Sequence, residues 1–342
     1  MTTSSARAGQ GSIAQAEWAR AVKILDSAEH VCLACHVRPD ADALGSMLAF
    51  GRALDTRPDR PAVIASVGDE PLEVPAILGF LPGIESLSQP RSYPARPEVM
   101  VSFDAASIDR LGILAGPATA AGELIVLDHH ASNTSFGTVN LVDPSAAATA
   151  VVATELIDRL GLTLTRDVAL GLYAGLVTDT GSFKFESTTP EVHQLAARLL
   201  QAGIDPGAVS RHLYDTAPFG YLHMLAAALD RAVLEPTSAG GLGLVWTTIT
   251  KADREQAGSL PLDAAESVID VIRRTQEAEV ALVLKEDDHG TWQASVRSKQ
   301  LIDVGRACTA LGGGGHTRAA GFSPSGGPSA AVSALRPLLD IR

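Results

Sequence analysis

The sequence has few of the features that mark exported or membrane-bound proteins. Only three of its 342 residues are cysteine, too few for a disulfide framework, and this indicates a reducing compartment. No segment approaches the ~20 uninterrupted apolar residues that a membrane span needs. Residues 1–11 are small and polar, without the apolar core of a signal peptide. We therefore expect a cytoplasmic protein whose residues 1–11 form a disordered tail.

Positive charge is scarce as well. The chain has 27 Lys and Arg against 39 Asp and Glu, which gives a formal net charge of −12. This balance disfavours a protein that follows long duplex nucleic acid with a basic face. Hydrophobic residues make up 46% and charged residues 19%, as in a globular protein. At roughly 150 residues per domain, the length predicts about two domains.

Short apolar, β-branched runs alternate with helical stretches in the first 200 residues. Runs at 31–37, 99–103 and 124–127 have the composition of buried parallel strands. This alternation predicts an α/β fold with a parallel sheet. We expect this parallel-sheet domain over residues 12–204, a helical connector over 205–234, and a smaller mixed α/β domain over 235–342.

Acidic and imidazole residues follow these predicted strands and helices. They are His36, Asp40, Asp42, Asp104, Asp128, His129, His130 and Asp179. A single aspartate after a strand is often only a helix cap or an Asx turn, so the combination carries the argument. Ligands bind at the carboxyl ends of parallel strands, and clustered carboxylates resist ionisation unless a cation compensates them. Oxygen and imidazole ligands without thiolates suit two Mn²⁺ or similar divalent ions better than a structural zinc.

These residues lie in four motifs that resemble those of the DHH phosphoesterase superfamily. The motifs are HVRPDADALGS at 36–46, Asp104 after an apolar strand, DHHASN at 128–133 and DTGSF at 179–183. LGGGGH at 311–316, with AAG at 319–321, resembles the signature of the associated DHHA1 domain. The length and domain pair are most similar to the NrnA-like subfamily of oligoribonucleases and 3′-phosphoadenosine 5′-phosphate phosphatases, whose actinobacterial members also act on cyclic di-AMP.

The resemblance implies a role for each motif residue. One metal ion would be held by His36, Asp40 and Asp104, and a second by Asp42, Asp104, His129 and Asp179. Asp104 would bridge the ions, His130 would face the scissile phosphate, and Asp128 would orient a histidine. The implied substrate-binding residues are Arg297, Gly313, Gly314, Gly315 and His316, with Lys299 and Arg318 as weaker candidates. Consecutive glycines can present backbone N–H groups to an anion, and a planar guanidinium suits phosphate.

The implied activity is that of a Mn²⁺-dependent phosphodiesterase and phosphatase with two metal ions. Its expected substrates are short oligoribonucleotides such as pApA, cyclic di-AMP and 3′-phosphoadenosine 5′-phosphate, and its expected products are nucleoside monophosphates. The family also implies a homodimer. Two alternatives remain open: an inorganic pyrophosphatase of the same superfamily, and a sensor that binds cyclic dinucleotides without cleaving them.

Overall fold

The computed structural model describes residues 13–59 and 61–340 and divides the chain into two compact units, with the boundary between Thr216 and Ala217. The tail that we expect to be disordered, residues 1–11, lies outside the described residues. The three cysteines are free and buried. Within the described ranges, no helix is both long and apolar enough to cross a membrane.

The first unit is built on a parallel five-stranded sheet. Its strands are β1 (His30–Cys35), β2 (Ala62–Val67), β3 (Val99–Phe103), β4 (Glu123–Asp128) and β5 (Val139–Val142), in the order β2-β1-β3-β4-β5. Cys35 pairs with Phe103 and Phe103 with Leu127, so β1, β3 and β4 end side by side. The predicted parallel sheet is confirmed, and the sequence reasoning missed only its two edge strands, β2 and β5.

Helices cover both faces of this sheet. They are α1 (Gln15–Ser27), α2 (Ala41–Leu54), α3 (Ala115–Ala120), α4 (Thr149–Arg159), α5 (Arg166–Asp179), α6 (Pro190–Gln201) and α7 (Pro206–Tyr214), with 3₁₀ turns at Ala76–Leu78, Ile84–Ser86, Pro90–Ser92 and Ile108–Leu114. Helices α2, α4 and α5 bury apolar residues on one face, while α3 and the turn Ile108–Leu114 cover the other. The packing of α2 on α5 is backbone to backbone, since a Cβ on Gly45 would lie 2.5 Å from the carbonyl oxygen of Gly171.

The second unit contains a mixed six-stranded sheet, which confirms the expected mixed α/β class. Its strands are β6 (Val233–Glu235), β7 (Leu244–Ile249), β8 (Val280–Glu286), β9 (Trp292–Ser298), β10 (Gly314–His316) and β11 (Ala319–Phe322), in the order β10-β11-β9-β8-β7-β6. Only β7 and β8 pair in parallel. The helices are α8 (Phe219–Asp230), α9 (Ser238–Gly241), α10 (Lys251–Gln256), α11 (Val268–Ile272), α12 (Val304–Ala310) and α13 (Pro328–Leu339), with a 3₁₀ turn at Leu262–Ala265.

Helices α7 and α8, which lie between the two sheets in the sequence, belong to different units. Helix α7 buries Val209 and Leu213 in the core of the first unit, and α8 buries Met224 in the second. Within the helical connector expected over residues 205–234, the sequence predicts a second helix over 218–234, and the end of this helix is wrong. The helix ends at Asp230 because Val233 and Leu234 pair with β7 as an edge strand.

Candidate metal centre

Three neighbouring strands of the first sheet are followed by polar side chains at the same edge of that sheet. His36 follows β1, Asp104 follows β3, and Asp128 ends β4 directly before His129 and His130. Asp104 has a left-handed backbone (φ 57°), which is uncommon outside glycine and which recurs at functional sites. Its N–H donates to the carbonyl of Leu127 at 2.9 Å, so the strained residue is tied to the neighbouring strand. The strand order therefore brings the predicted residues together.

Two helix ends supply the remaining carboxylates. Asp40 caps α2 by accepting hydrogen bonds from the N–H groups of Asp42 and Ala43, both at 3.0 Å. Asp42 lies in the first turn of α2, and Asp179 is the last residue of α5. A Cβ on Gly175, one turn before Asp179, would lie 2.6 Å from Asp42 Oδ1. Glycine at this position therefore allows the end of α5 to approach Asp42.

Two histidine rings face the carboxylates through their Nε2 atoms. His36 Nε2 lies 3.5 Å from Asp104 and 3.8 Å from Asp40. His129 Nε2 lies 3.1 Å from Asp179, 3.6 Å from Asp104 and 3.9 Å from Asp42. The Nδ1 atoms lie next to backbone carbonyls, at 2.8 Å for His36 and 3.2 Å for His129. This is how proteins orient histidines that bind metals through Nε2.

The donor groups fit divalent cations. His36, Asp40 and Asp104 form one group, and Asp42, Asp104 and His129 form another, each with ligand atoms within 4.8 Å of one another. Asp104 belongs to both groups, as a bridging carboxylate would. Asp42 and Asp104 are buried, where uncompensated charge is costly. Carboxylate oxygens and imidazole nitrogens without thiolates are the ligands of Mn²⁺ and similar ions.

The clustered carboxylates of the site stabilise positive charge placed between them. Burial alone would lower the pKa of His36, but the Asp104 and Asp40 carboxylates outweigh it and raise the pKa to about 10. For His129, Asp179 and Asp104 likewise outweigh burial and raise the pKa well above its usual value. Burial raises the pKa of Asp179 to about 6 even though His129 opposes the shift. Bound divalent ions would supply this positive charge and displace the protons.

Thr149, the first residue of α4, organises two of the carboxylates and was missed by the sequence reasoning. Its N–H donates to Asp42 Oδ2 at 2.6 Å and its hydroxyl donates to Asp104 Oδ1 at 2.8 Å. The N–H of Ala150 donates to Asp42 Oδ1 at 2.9 Å. Helix α4 has no side-chain cap at Ala148, so the carboxylate of Asp42 serves the open helix N-terminus. The missing cap was the only sequence signal for this contact.

Asp128 holds the ring of His130 rather than joining the two His-carboxylate groups. Its Oδ1 accepts from the N–H groups of His129 and His130 and lies 2.7 Å from His130 Nδ1. Its Oδ2 accepts from Asn133 Nδ2 at 2.6 Å. Three of these contacts fix the carboxylate of Asp128, and the fourth holds the Nδ1 side of the His130 ring.

The predicted substrate-binding residues lie in the second unit. Arg297 is on β9, on the sheet face that also carries Ser295, and its Nη1 donates to the carbonyl of Val296 at 3.1 Å. Arg318 Nη1 donates to the carbonyl of Ile302 at 3.0 Å, and Lys299 Nζ contacts the carbonyl of Thr275 at 2.5 Å. Lys299 and Arg318 thus each have a backbone partner.

The glycine run, to which the resemblance gives an anion-binding role, is partly a strand. Gly314, Gly315 and His316 form β10 and pair with β11. A Cβ on Gly313 would lie 2.0 Å from the carbonyl oxygen of Gly321, and a Cβ on Gly315 would lie 2.5 Å from the carbonyl oxygen of Ala319. Close backbone approach therefore accounts for two of the glycines. Because β10 is an edge strand, its outer side carries backbone groups that no further strand of this sheet pairs.

Both units match known domain families. Residues 30–176 match the DHH family, N-terminal domain, and residues 258–336 match the DHHA1 domain. The first match spans β1 to most of α5, and the second spans β8 to β11 and most of α13.

Curated relatives and a solved structure match most of the chain. It is 32% identical over 296 residues to the bifunctional oligoribonuclease and PAP phosphatase NrnA of Thermus thermophilus, covering 86% of this chain and 84% of that protein. It is 27% identical to the Bacillus subtilis protein of the same name, covering 90% and 92%. An exopolyphosphatase-related protein from Bacteroides fragilis has a TM-score of 0.85 at 24% identity, over 96% of both chains, and shares the fold.

Proposed function

This chain belongs to the DHH phosphoesterase family with a C-terminal DHHA1 domain and hydrolyses phosphate esters, and we propose that its substrates are short oligoribonucleotides, cyclic di-AMP and 3′-phosphoadenosine 5′-phosphate. The observation that supports a catalytic role is the pair of His-carboxylate groups that share Asp104. The Thermus and Bacillus relatives are named as oligoribonucleases and PAP phosphatases, which supports the choice of substrates. The products are nucleoside monophosphates.

The proposed cofactor is a pair of Mn²⁺ ions. One would be held by His36, Asp40 and Asp104, and the other by Asp42, Asp104, His129 and Asp179. Divalent ions at these positions would supply Lewis acidity toward phosphate oxygens and would lower the pKa of a nearby water. Thr149 keeps the carboxylates of Asp42 and Asp104 oriented by donating a hydrogen bond to each. The chain thereby fixes the donor atoms before the ions arrive.

His130 is the proposed proton donor to the leaving oxygen. Its Nδ1 lies 2.7 Å from Asp128 Oδ1, a contact that stabilises the imidazolium form and leaves Nε2–H for the substrate. Asn133 holds the other oxygen of Asp128, so the Asp128 carboxylate cannot rotate away from the ring. Removing the leaving oxygen as an alkoxide would be slow near neutral pH, and a proton from Nε2 avoids this.

The second unit supplies the proposed substrate contacts. Arg297 suits a phosphate through its planar guanidinium, and the outer edge of β10 offers backbone groups at Gly314 and Gly315. His316 ends the same strand. The acidic balance of the chain agrees with small anionic substrates, since no long basic surface is needed to hold a few nucleotides.

A substrate panel tests the proposal. The Mn²⁺-loaded full-length protein is given pApA, 3′-phosphoadenosine 5′-phosphate, cyclic di-AMP and pyrophosphate, and kcat/KM is measured for each. We expect AMP from pApA, and we expect D104N to lose at least about 1,000-fold in kcat because one carboxylate serves both proposed ions. D109N is the matched control, since Asp109 is an exposed aspartate of the same loop and should retain the wild-type rate.

Two outcomes would contradict the proposal. Turnover of pyrophosphate that exceeds turnover of every nucleotide would assign the chain to pyrophosphatase chemistry. Tight binding of cyclic di-AMP with no product from any substrate would assign it to the sensor class.

A further inference from the structure

The backbone of Arg110 is fixed beside the first metal-ligand group. Arg110 lies six residues after Asp104, in the 3₁₀ turn Ile108–Leu114. Its carbonyl accepts from the N–H of Val37 at 2.8 Å, directly next to His36. Gly68 packs against the same turn so closely that a Cβ there would lie 1.8 Å from the carbonyl oxygen of Leu111. These contacts hold Arg110 against the loop that follows β1.

The guanidinium of Arg110 reaches the side of the His36 ring opposite the carboxylates. Nη2 lies 3.2 Å from His36 Nδ1, which also lies 2.8 Å from the carbonyl oxygen of Val37. One nitrogen cannot serve both neighbours, since accepting from Arg110 needs a lone pair and donating to Val37 needs a proton. The carbonyl oxygen of Val37 can only accept a hydrogen bond, so Nδ1 carries the proton and donates to it. The Arg110 guanidinium then needs another acceptor.

Arg110 has no carboxylate at ion-pair distance in the described part of the chain. Among the residues that the structure describes, no acidic oxygen lies within 4.0 Å of its guanidinium, and the side chain is exposed. Partial loss of hydration and the Arg38 cation lower the pKa of Arg110, the carboxylates of Asp104, Asp40 and Asp69 oppose this shift, and the group stays charged at neutral pH.

We propose that Arg110 binds a phosphoryl oxygen of the substrate at the metal centre. This rests on the proposed function, because a phosphate ester must occupy the site. The first unit then binds the reacting phosphate through Arg110. A guanidinium is suited to this contact because it donates two parallel N–H groups to a phosphate.

The test uses R110Q, the conservative R110K, and R166Q as a matched control. Arg166 is exposed and donates to a backbone carbonyl, and it starts α5, about 20 Å along the helix from Asp179. Calorimetry measures Mn²⁺ binding first and then AMP binding to each Mn²⁺-saturated protein, and kcat and KM are measured for pApA. AMP is the probe because its binding does not depend on turnover.

We expect R110Q to bind Mn²⁺ as the wild type does and AMP about 10- to 100-fold more weakly, the worth of one charge-assisted contact. R110K should recover part of this affinity, and R166Q should match the wild type. Wild-type AMP affinity in R110Q, weakened Mn²⁺ binding with unchanged AMP binding, or no AMP binding by the wild type would each overturn the inference. A wild type that binds AMP through Arg110 but cleaves none of the phosphate esters would refute the proposed function alone.

Discussion

Replacing Thr149 with valine should weaken metal binding without disturbing the fold. The hydroxyl of Thr149 donates to Asp104 Oδ1 at 2.8 Å, and both residues are buried. A hydrogen bond to a charged group contributes about 1.5–3 kcal/mol. Valine has nearly the same shape as threonine, so the loss falls mainly on the carboxylate that both proposed ions share. We therefore expect Mn²⁺ affinity to fall by about 10- to 100-fold, the usual effect of losing a residue that orients a ligand.

Calorimetric titration with Mn²⁺ measures this effect, and two variants make it specific. T149S keeps the hydroxyl and should bind Mn²⁺ almost as the wild type does. T154V makes the same substitution one turn further along α4, where the hydroxyl donates to the carbonyl of Ala150 at 2.7 Å. The reasoning would be refuted by wild-type affinity in T149V, or by an equal loss of affinity in T154V.

Three further predictions concern stability. Glu235 accepts hydrogen bonds from Arg336, Ser238 and Trp246, and Arg336 above all holds its pKa at about 2. The stability that the Glu235 carboxylate contributes is complete above its ordinary pKa of about 4.5 and is lost as the pH falls toward 2. E235Q should therefore lower the free energy of unfolding, measured in urea at pH 7, by about 1.5–3 kcal/mol. A difference between E235Q and the wild type that stayed constant down to pH 3 would argue against this. G313A should lower the free energy of unfolding by about 1–3 kcal/mol, because its Cβ would meet the carbonyl oxygen of Gly321 at 2.0 Å, whereas G314A meets no atom within 4 Å and should match the wild type. Chelation should lower Tm, since ions at 100 times their Kd stabilise the fold by about 2.7 kcal/mol, and a D104N variant whose Tm still rose with Mn²⁺ would show that the ions bind elsewhere.

The sequence predicted the strands that carry the site because their signals are local. The runs that became β1, β3 and β4 are β-branched and end at polar residues, and neighbouring strand ends must meet at one edge. The boundaries shifted by only a few residues, as in β4, which runs to Asp128 itself. The edge strand β5 was missed because four residues are too few for a periodic pattern.

Contacts between distant parts of the chain left no such signal. Thr149 is 45 residues from Asp104, and Arg110 is 74 residues from His36. Neither pair has a spacing that a helix or strand would produce, so only the fold shows that they touch. The strand at Gly314 could not be predicted either, because glycine has a low strand propensity. Its glycines reflect the close approach of β11, which is also a contact that only the fold shows.

The most direct test of the metal centre is an anomalous difference map from crystals of the full-length protein grown with Mn²⁺ and AMP. We predict two Mn²⁺ peaks on either side of the Asp104 carboxylate, one next to His36 and Asp40 and the other next to Asp42, His129 and Asp179. A map without a peak at Asp104, or with manganese only at other places on the protein, would contradict the account.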